Sequence, residues 1–168
     1  MSLINTQNRQ KLIRYADGPT RLASAVAGLD ETNLNLSLTS SSWSIRQLVH
    51  HIADGDDFWK LAIKAAIGNN GGTYSVNWYW EKEQDDWVAG WDYAGREIES
   101  SLALFTANRR HTVALLLHFP DAWENYVNMP WFDGEIRKVV VSSTVEGQGN
   151  HAIGHIDDIL AIRKFHGI

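Results

Sequence analysis

Three histidines are the residues of this chain best suited to chemistry: His151 and His155 in NHAIGHIDDILAIRKF, and His51 in WSIRQLVHHIADGDDFW a hundred residues earlier. On a helix, positions i and i+4 share a face about 5–6 Å apart, so His151 and His155 can hold one metal ion from adjacent turns. A third imidazole from another helix gives the three-ligand shell of a catalytic metal centre, which keeps a coordination position open for water or substrate. Histidines at this spacing also occur on solvated faces, but here the neighbours argue for burial. With 138–166 helical, His151, His155, Ile159 and Ile162 form one stripe, and its apolar continuation must be covered. Buried imidazoles need polar partners, and a shared cation satisfies them together.

No other source of reactivity competes. The chain has no cysteine, which removes disulfides, thiolate zinc sites, iron–sulfur clusters and cysteine nucleophiles; it also has no Ser-His-Asp order and no phosphate loop. A metal must therefore sit on nitrogen and oxygen ligands, and neutral imidazoles suit zinc or nickel. Coordination by neutral imidazole is expected to weaken as pH falls through about 6.5. The net charge of −5 without a basic run argues against nucleic acid as a partner. A length of 168 residues with 44% apolar content suits one domain over 1–168. No stretch approaches the ~20 apolar residues of a membrane span, and the opening MSLINTQNRQKLIRY lacks the apolar core of a signal peptide. A cytoplasmic protein with no membrane partner is expected.

Four helical segments must position the histidines. The first runs over about 3–28, with Leu12, Ile13, Tyr15, Leu22, Ala25, Val26 and Leu29 at three- and four-residue steps; Gly18-Pro19 predicts two pieces or a kink. DETNLNLSLTSSS reads as a connection. The second helix carries the clearest start signal: Ser44 with Gln47 makes a capping box, and Trp43 with Leu48 a hydrophobic staple. It should end at Gly68-Asn69. Counting 100° per residue places His51 at the edge of the face formed by Leu48 and Ile52, while His50 points away and is read as solvated or at an interface. A third helix is expected from about Glu81 to His118, with breaks allowed and with Trp87, Trp91, Ile98, Leu102, Phe105, Val113, Leu116 and Leu117 as core candidates. Trp78, Trp80, Trp87 and Trp91 either cap one end of the bundle, indole N–H groups outward, or wall a substrate site. Pro120 and Pro130 exclude continuous helix after His118, and a short hairpin pairing 124–129 with 134–137 stays open. The fourth helix is expected to begin near Lys138, with burial overriding the poor helix propensity of Val139 to Val145.

YADGPTRLASAVAGLD, WSIRQLVHHIADGDDFW, YWEKEQDDW and GNHAIGHIDDILAIRK, in that order, resemble the landmarks of the DinB/YfiT-like superfamily over nearly the whole chain. The resemblance implies an all-α four-helix bundle, often dimeric, whose core holds a divalent metal on three histidines. Carried over by position these are His51, His151 and His155, the residues that helix geometry also selects. It further implies two chemistries, hydrolysis by activated water and transfer of a low-molecular-weight thiol, each on a small-molecule substrate. Many members carry a histidine just before the last ligand and a glutamine three residues after it, where this chain has Gly154 and Asp158.

Asp54, one turn after His51, is a candidate to orient an imidazole, or else a solvated acid. Asp157, Asp158 and Glu146 are read as solvated, with Glu146 kept as a remote candidate base, and Asn150 points away from the histidine stripe. The expected function is a metal-dependent hydrolase or thiol transferase; the alternative is a non-catalytic metal-binding bundle acting as a sensor or interaction protein. Eight tryptophans exceed what one bundle of this size needs for its core, so a homodimer is expected.

Overall fold

The computed structural model describes residues 4–168. Four long helices form a bundle: α1 (Thr6–Val26), α3 (Ile45–Gly68), α5 (Glu99–His118) and α6 (Val141–His166), with short helices α2 (Glu31–Leu34) and α4 (Gln84–Gly90) in the connections. Helix α1 packs along α6 and α5, and α3 along α5 and α6. None of the helices is long and apolar enough to cross a membrane.

Local signals explain most of these boundaries. The Ser44 side chain accepts from the Gln47 amide while the Gln47 side chain accepts from the Ser44 amide, so α3 starts on the expected reciprocal cap. Trp43 packs against the cluster that contains Leu48. At the other end the Asn69 N–H bonds the Ala65 carbonyl and the helix stops.

Helix α1 is one continuous element through Pro19 rather than two helical pieces. Proline offers no N–H to the carbonyl four residues back, which here is Tyr15; Arg109 Nη1 donates to that carbonyl at 2.9 Å instead. Gly18 is a packing residue, since a Cβ there would stand 3.2 Å from the Phe105 ring.

The segment expected as a third helix is divided into a 3-10 turn at Asn77–Glu81, α4, an irregular stretch, and α5 from Glu99. Ile98, Phe105 and Leu116 are buried as expected, whereas Leu117 is 57% exposed. The aromatic residues stack against the flank of α3 at Phe58 rather than capping a bundle end: Phe58 meets Tyr79 at 4.9 Å and Trp78 at 5.5 Å between ring centroids. Tyr79 in turn stacks on Trp87. The indoles do not all face outward, because Trp87 Nε1 donates to the Tyr79 carbonyl.

The hairpin forms, with β1 (Tyr126–Pro130) antiparallel to β2 (Ile136–Val140) in a register that pairs Tyr126 with Val140 and Pro130 with Ile136. Gly134 takes φ +82° at its turn. The β-branched run through Val139 and Val140 therefore stays extended, and α6 begins at Val141, three residues later than expected. The Val141 N–H bonding the Asn125 carbonyl fixes this junction. The free edge of β1 is covered by 71–74, through Gly71 N–H to Tyr126 O and Asn128 N–H to Gly72 O.

Two apolar clusters fill the bundle, one around Leu22, Ile45, Ile52 and Ile159, the other around Leu12, Ile63, Leu116 and Val145. A polar layer joins them. Arg109, 1% exposed, pairs through Nε with Asp56 at 2.6 Å and donates through Nη2 to the Gln148 carbonyl, and its guanidinium lies 3.7 Å from the Tyr15 ring centroid. Burial pushes the Asp56 carboxyl up to about 6 against the pull of Arg109, so at neutral pH the pair is charged. Removing one partner of such a pair is expected to cost about 3–5 kcal/mol, while replacing both by apolar groups of similar volume costs far less. Arg109→Ala should therefore lower the urea midpoint strongly and the double replacement Asp56→Leu/Arg109→Met much less. Equal midpoints for the single and double variants would contradict this account.

Candidate metal centre

The histidines meet because α3 and α6 lie side by side. His51 comes from the second turn of α3, and His151 and His155 from consecutive turns of α6. His51 Nε2 lies 3.0 Å from His151 Nε2, and one ring nitrogen from each of the three lies within 4.8 Å of the others. Nitrogens bound tetrahedrally to one zinc at 2.0–2.1 Å stand about 3.3 Å apart, which falls within this spread. The three-histidine group could hold a metal ion.

Small and polar neighbours set the ring positions. Gly55, one turn after His51, faces His151: a Cβ there would be 3.4 Å from His151 Cε1. Asp158 Oδ2 lies 3.0 Å from His155 Nδ1, so His155 donates that proton outward and keeps Nε2 for the site. Trp43 stands edge-on to His51 at 4.7 Å between ring centroids and 6.4 Å from His155. Its indole N–H donates to Asp85 in α4 at 2.8 Å.

Burial holds two of the imidazoles in their neutral form. His51 is depressed to about 3 by burial and then by the proximity of His151 and His155; His151 is depressed to about 4 by burial, His155 and Arg109. Protons therefore compete for these two nitrogens well below the ordinary imidazole range near 6.5 expected from the sequence.

Several expected roles change. His50 is fully buried, neither solvated nor at a free surface: Nδ1 meets Ser101 Oγ at 2.8 Å and Nε2 faces the Arg96 carbonyl at 3.2 Å. Helix α3 is covered on two sides, so the face turned from α6 is covered by α5 and the segment before it. Asp54 does not orient His51; it accepts from the Tyr93 hydroxyl at 2.6 Å. Glu146 pairs with Lys11 at 2.8 Å, and it is not among the groups facing the histidines. Asp157 and Asn150 are exposed as expected. Asp158 is exposed as expected and in addition orients His155; its i+3 spacing from His155 is the available signal. Trp43 was legible only as a helix staple.

In the metal-free protein the unfolded chain binds protons at these histidines near pH 6.5, while the folded chain keeps His51 and His151 neutral to about 3 and 4. Unfolding thus takes up protons between those values, and folding stability falls as pH drops from about 6.5 toward 4. Urea midpoints of chelator-treated protein should show this slope, and His51→Ala should flatten it. A midpoint independent of pH over that window would contradict burial of neutral imidazoles.

Comparison with known proteins accords with this architecture. The sequence model of the DinB superfamily matches residues 14–159. A Halalkalibacterium halodurans protein, bearing the provisional name of metal-dependent hydrolase, is 29% identical over 147 residues, 87% of this chain and 82% of its own. A Geobacillus kaustophilus protein of the same provisional name is 29% identical over 150 residues, 89% and 80% of the two chains. Among solved structures, YfiT from Bacillus subtilis, reported as a four-helix bundle of unusual topology, superposes with a TM-score of 0.83 at 20% identity, covering 99% of this chain and 91% of that one. A mycothiol-dependent maleylpyruvate isomerase superposes with a TM-score of 0.65 at 16% identity, covering 90% of this chain and 60% of that one. The family match spans the second helix, the hairpin and both late histidines, and this chain belongs to the DinB superfamily.

Proposed function

We propose that His51, His151 and His155 hold one divalent ion, zinc or nickel, and that the protein is a metal-dependent hydrolase or small-thiol transferase acting on a small molecule. The convergence of three ring nitrogens within 4.8 Å from two helices carries this reading. The provisional names of the relatives support hydrolysis, and the thiol dependence of the isomerase supports the transferase arm.

A divalent cation supplies the Lewis acidity that makes water or a thiol nucleophilic near neutral pH. The chain's own residues prepare for it. His51 and His151 stay neutral and offer lone pairs, because burial disfavours their charged forms. Asp158 fixes the His155 ring by accepting from Nδ1. Trp43 stands against the His51 and His155 rings as an apolar neighbour, and a cavity lined by Trp43, His155 and Asp158 gives access to the site.

A second reading, a metal-binding bundle without catalysis that serves as sensor or interaction protein, draws on one observation. The two acids nearest to a base role from sequence, Asp54 and Glu146, are engaged by Tyr93 and Lys11. The homodimer expected from the tryptophan content belongs to the same proposal under either reading.

Metal content of purified protein should fall to near zero in His51→Ala, His151→Ala and His155→Ala and be retained in His50→Ala, whose partners Ser101 and Arg96 lie outside the site. Full retention by His51→Ala would remove the site. Asp158→Ala should weaken metal affinity about 10–100-fold, read by competition with a chromogenic chelator; an unchanged affinity would deny Asp158 its role. Loaded protein should accelerate thiol addition to an electrophile or hydrolysis of an activated ester, and chelation should abolish either. If wild type is no faster than His155→Ala on both substrate classes, the non-catalytic reading replaces the enzyme.

A further inference from the structure

The groove between α3 and α6 does not end at the histidines. On α3 the stripe His51, Gly55, Trp59 runs at four-residue steps, and on α6 the stripe His155, His151, Gly147, Ser143 does the same in the opposite direction along the chain. Space over Gly55 is taken by the His151 ring, 3.4 Å from where a Cβ would stand, whereas a Cβ at Gly147 would meet nothing within 4 Å. At the Trp59 and Ser143 end of these stripes lies a cavity of about 250 Å³ lined by Trp59, Lys138, Ser143, Thr144, Gly147 and Gln148.

Three features of that cavity call for an anion. Helix α6 starts there at Val141 without a side-chain cap; the Val141 N–H is taken by the Asn125 carbonyl, and the rest of the first turn, with Ser143 and Thr144 in the cavity lining, brings the positive end of the helix beside it. Lys138 Nζ is held 3.9 Å from the Tyr126 ring centroid and has no carboxylate partner among the described residues. Gln148, 8% exposed, buries the oxygen end of its carboxamide with no hydrogen-bond partner. A buried acceptor without a partner is costly, and exchanging the O and N ends of the carboxamide turns an N–H donor toward an anion in its place. No acid lines the cavity.

We propose that this cavity is an anion-binding subsite that seats the carboxylate or phosphate of a small molecule whose reactive end lies at the three histidines. Its role as a substrate subsite rests on the metal-site reading; the anion site itself does not. Gly147 and Ser143 lie four and eight residues from His151, so at 1.5 Å per residue the anionic group sits about 6–12 Å from the reacting end. Trp59 provides a flat wall for the part between them.

Calorimetry on zinc-loaded protein with 6-mercaptohexanoate and 6-mercaptohexan-1-ol tests the linkage. The carboxylate should bind about tenfold more tightly than the alcohol, the equivalent of one charge-assisted contact. Lys138→Ala should reduce that preference to less than twofold at unchanged zinc content, and Lys138→Glu should reverse it. A second arm uses chelator-treated protein and amide NMR: adipate or inorganic phosphate should shift the Ser142–Thr144 amides and the Gln148 side-chain amide, and the stronger of the two identifies the anion. Equal affinities for the two thiols together with no anion-induced shifts would overturn the subsite and leave the metal site standing. Loss of zinc and of thiol binding with the anion shifts intact would overturn the metal reading and leave the subsite.

Discussion

Arg109 touches all four long helices at once. From α5 it pairs with Asp56 on α3, donates to the carbonyl of Tyr15 on α1 and to that of Gln148 on α6, and stacks on the Tyr15 ring. Each contact answers a need created elsewhere. The Tyr15 carbonyl lacks its helical donor because Pro19 has no N–H, and the Asp56 carboxylate cannot stay ionised in the interior without a cation. The guanidinium is suited to this place because it stays charged and presents a planar fork of donors. An apolar layer could be as stable, but it would leave the Tyr15 carbonyl without a donor and would fix the heights of the helices less sharply.

That cross-link also sets the candidate site. Asp56 lies five residues after His51 on α3, and Gln148 three residues before His151 on α6, so the same guanidinium aligns the two helices within about a turn of the histidines. With the helices held, only small adjustments remain: Gly55 makes room for the His151 ring, Asp158 turns His155, and Trp43 closes one edge. These supports hold the three rings in place beside a cavity that His155 and Trp43 line, an arrangement that favours positioning a small ligand over wrapping a large one.

The four long helices were legible because their signals are local: the Ser44 cap, the apolar stripes and the Gly68-Asn69 stop lie in short windows of sequence. So were the three histidines, whose spacing on α6 and place on the edge of α3 both follow from 100° per residue. What escaped depended on partners distant in the chain. Pro19 reads as a break or a kink because the donor that replaces its missing N–H is ninety residues away in Arg109. His50 read as solvated because a single helical wheel does not show that α3 is covered on two sides. Val139 and Val140 were assigned to a helix, although their β-branched character pointed to the strand they form; here propensity prevailed over the burial argument. Asp158 is solvated as its sequence context indicates; its second role escapes because an i+3 acid beside a histidine resembles any surface pair until the ring is seen to turn toward it.

Three imidazoles from two helices are proposed to hold one ion with a coordination position to spare. X-ray absorption at the edge of the metal found in the purified protein tests it most directly. The account predicts three imidazole nitrogens at about 2.0–2.1 Å for zinc, with a remaining light-atom scatterer that sulfur replaces when a small thiol is added. A shell dominated by carboxylate oxygen, a closed shell that no thiol enters, or protein that takes up no divalent metal at neutral pH would contradict it.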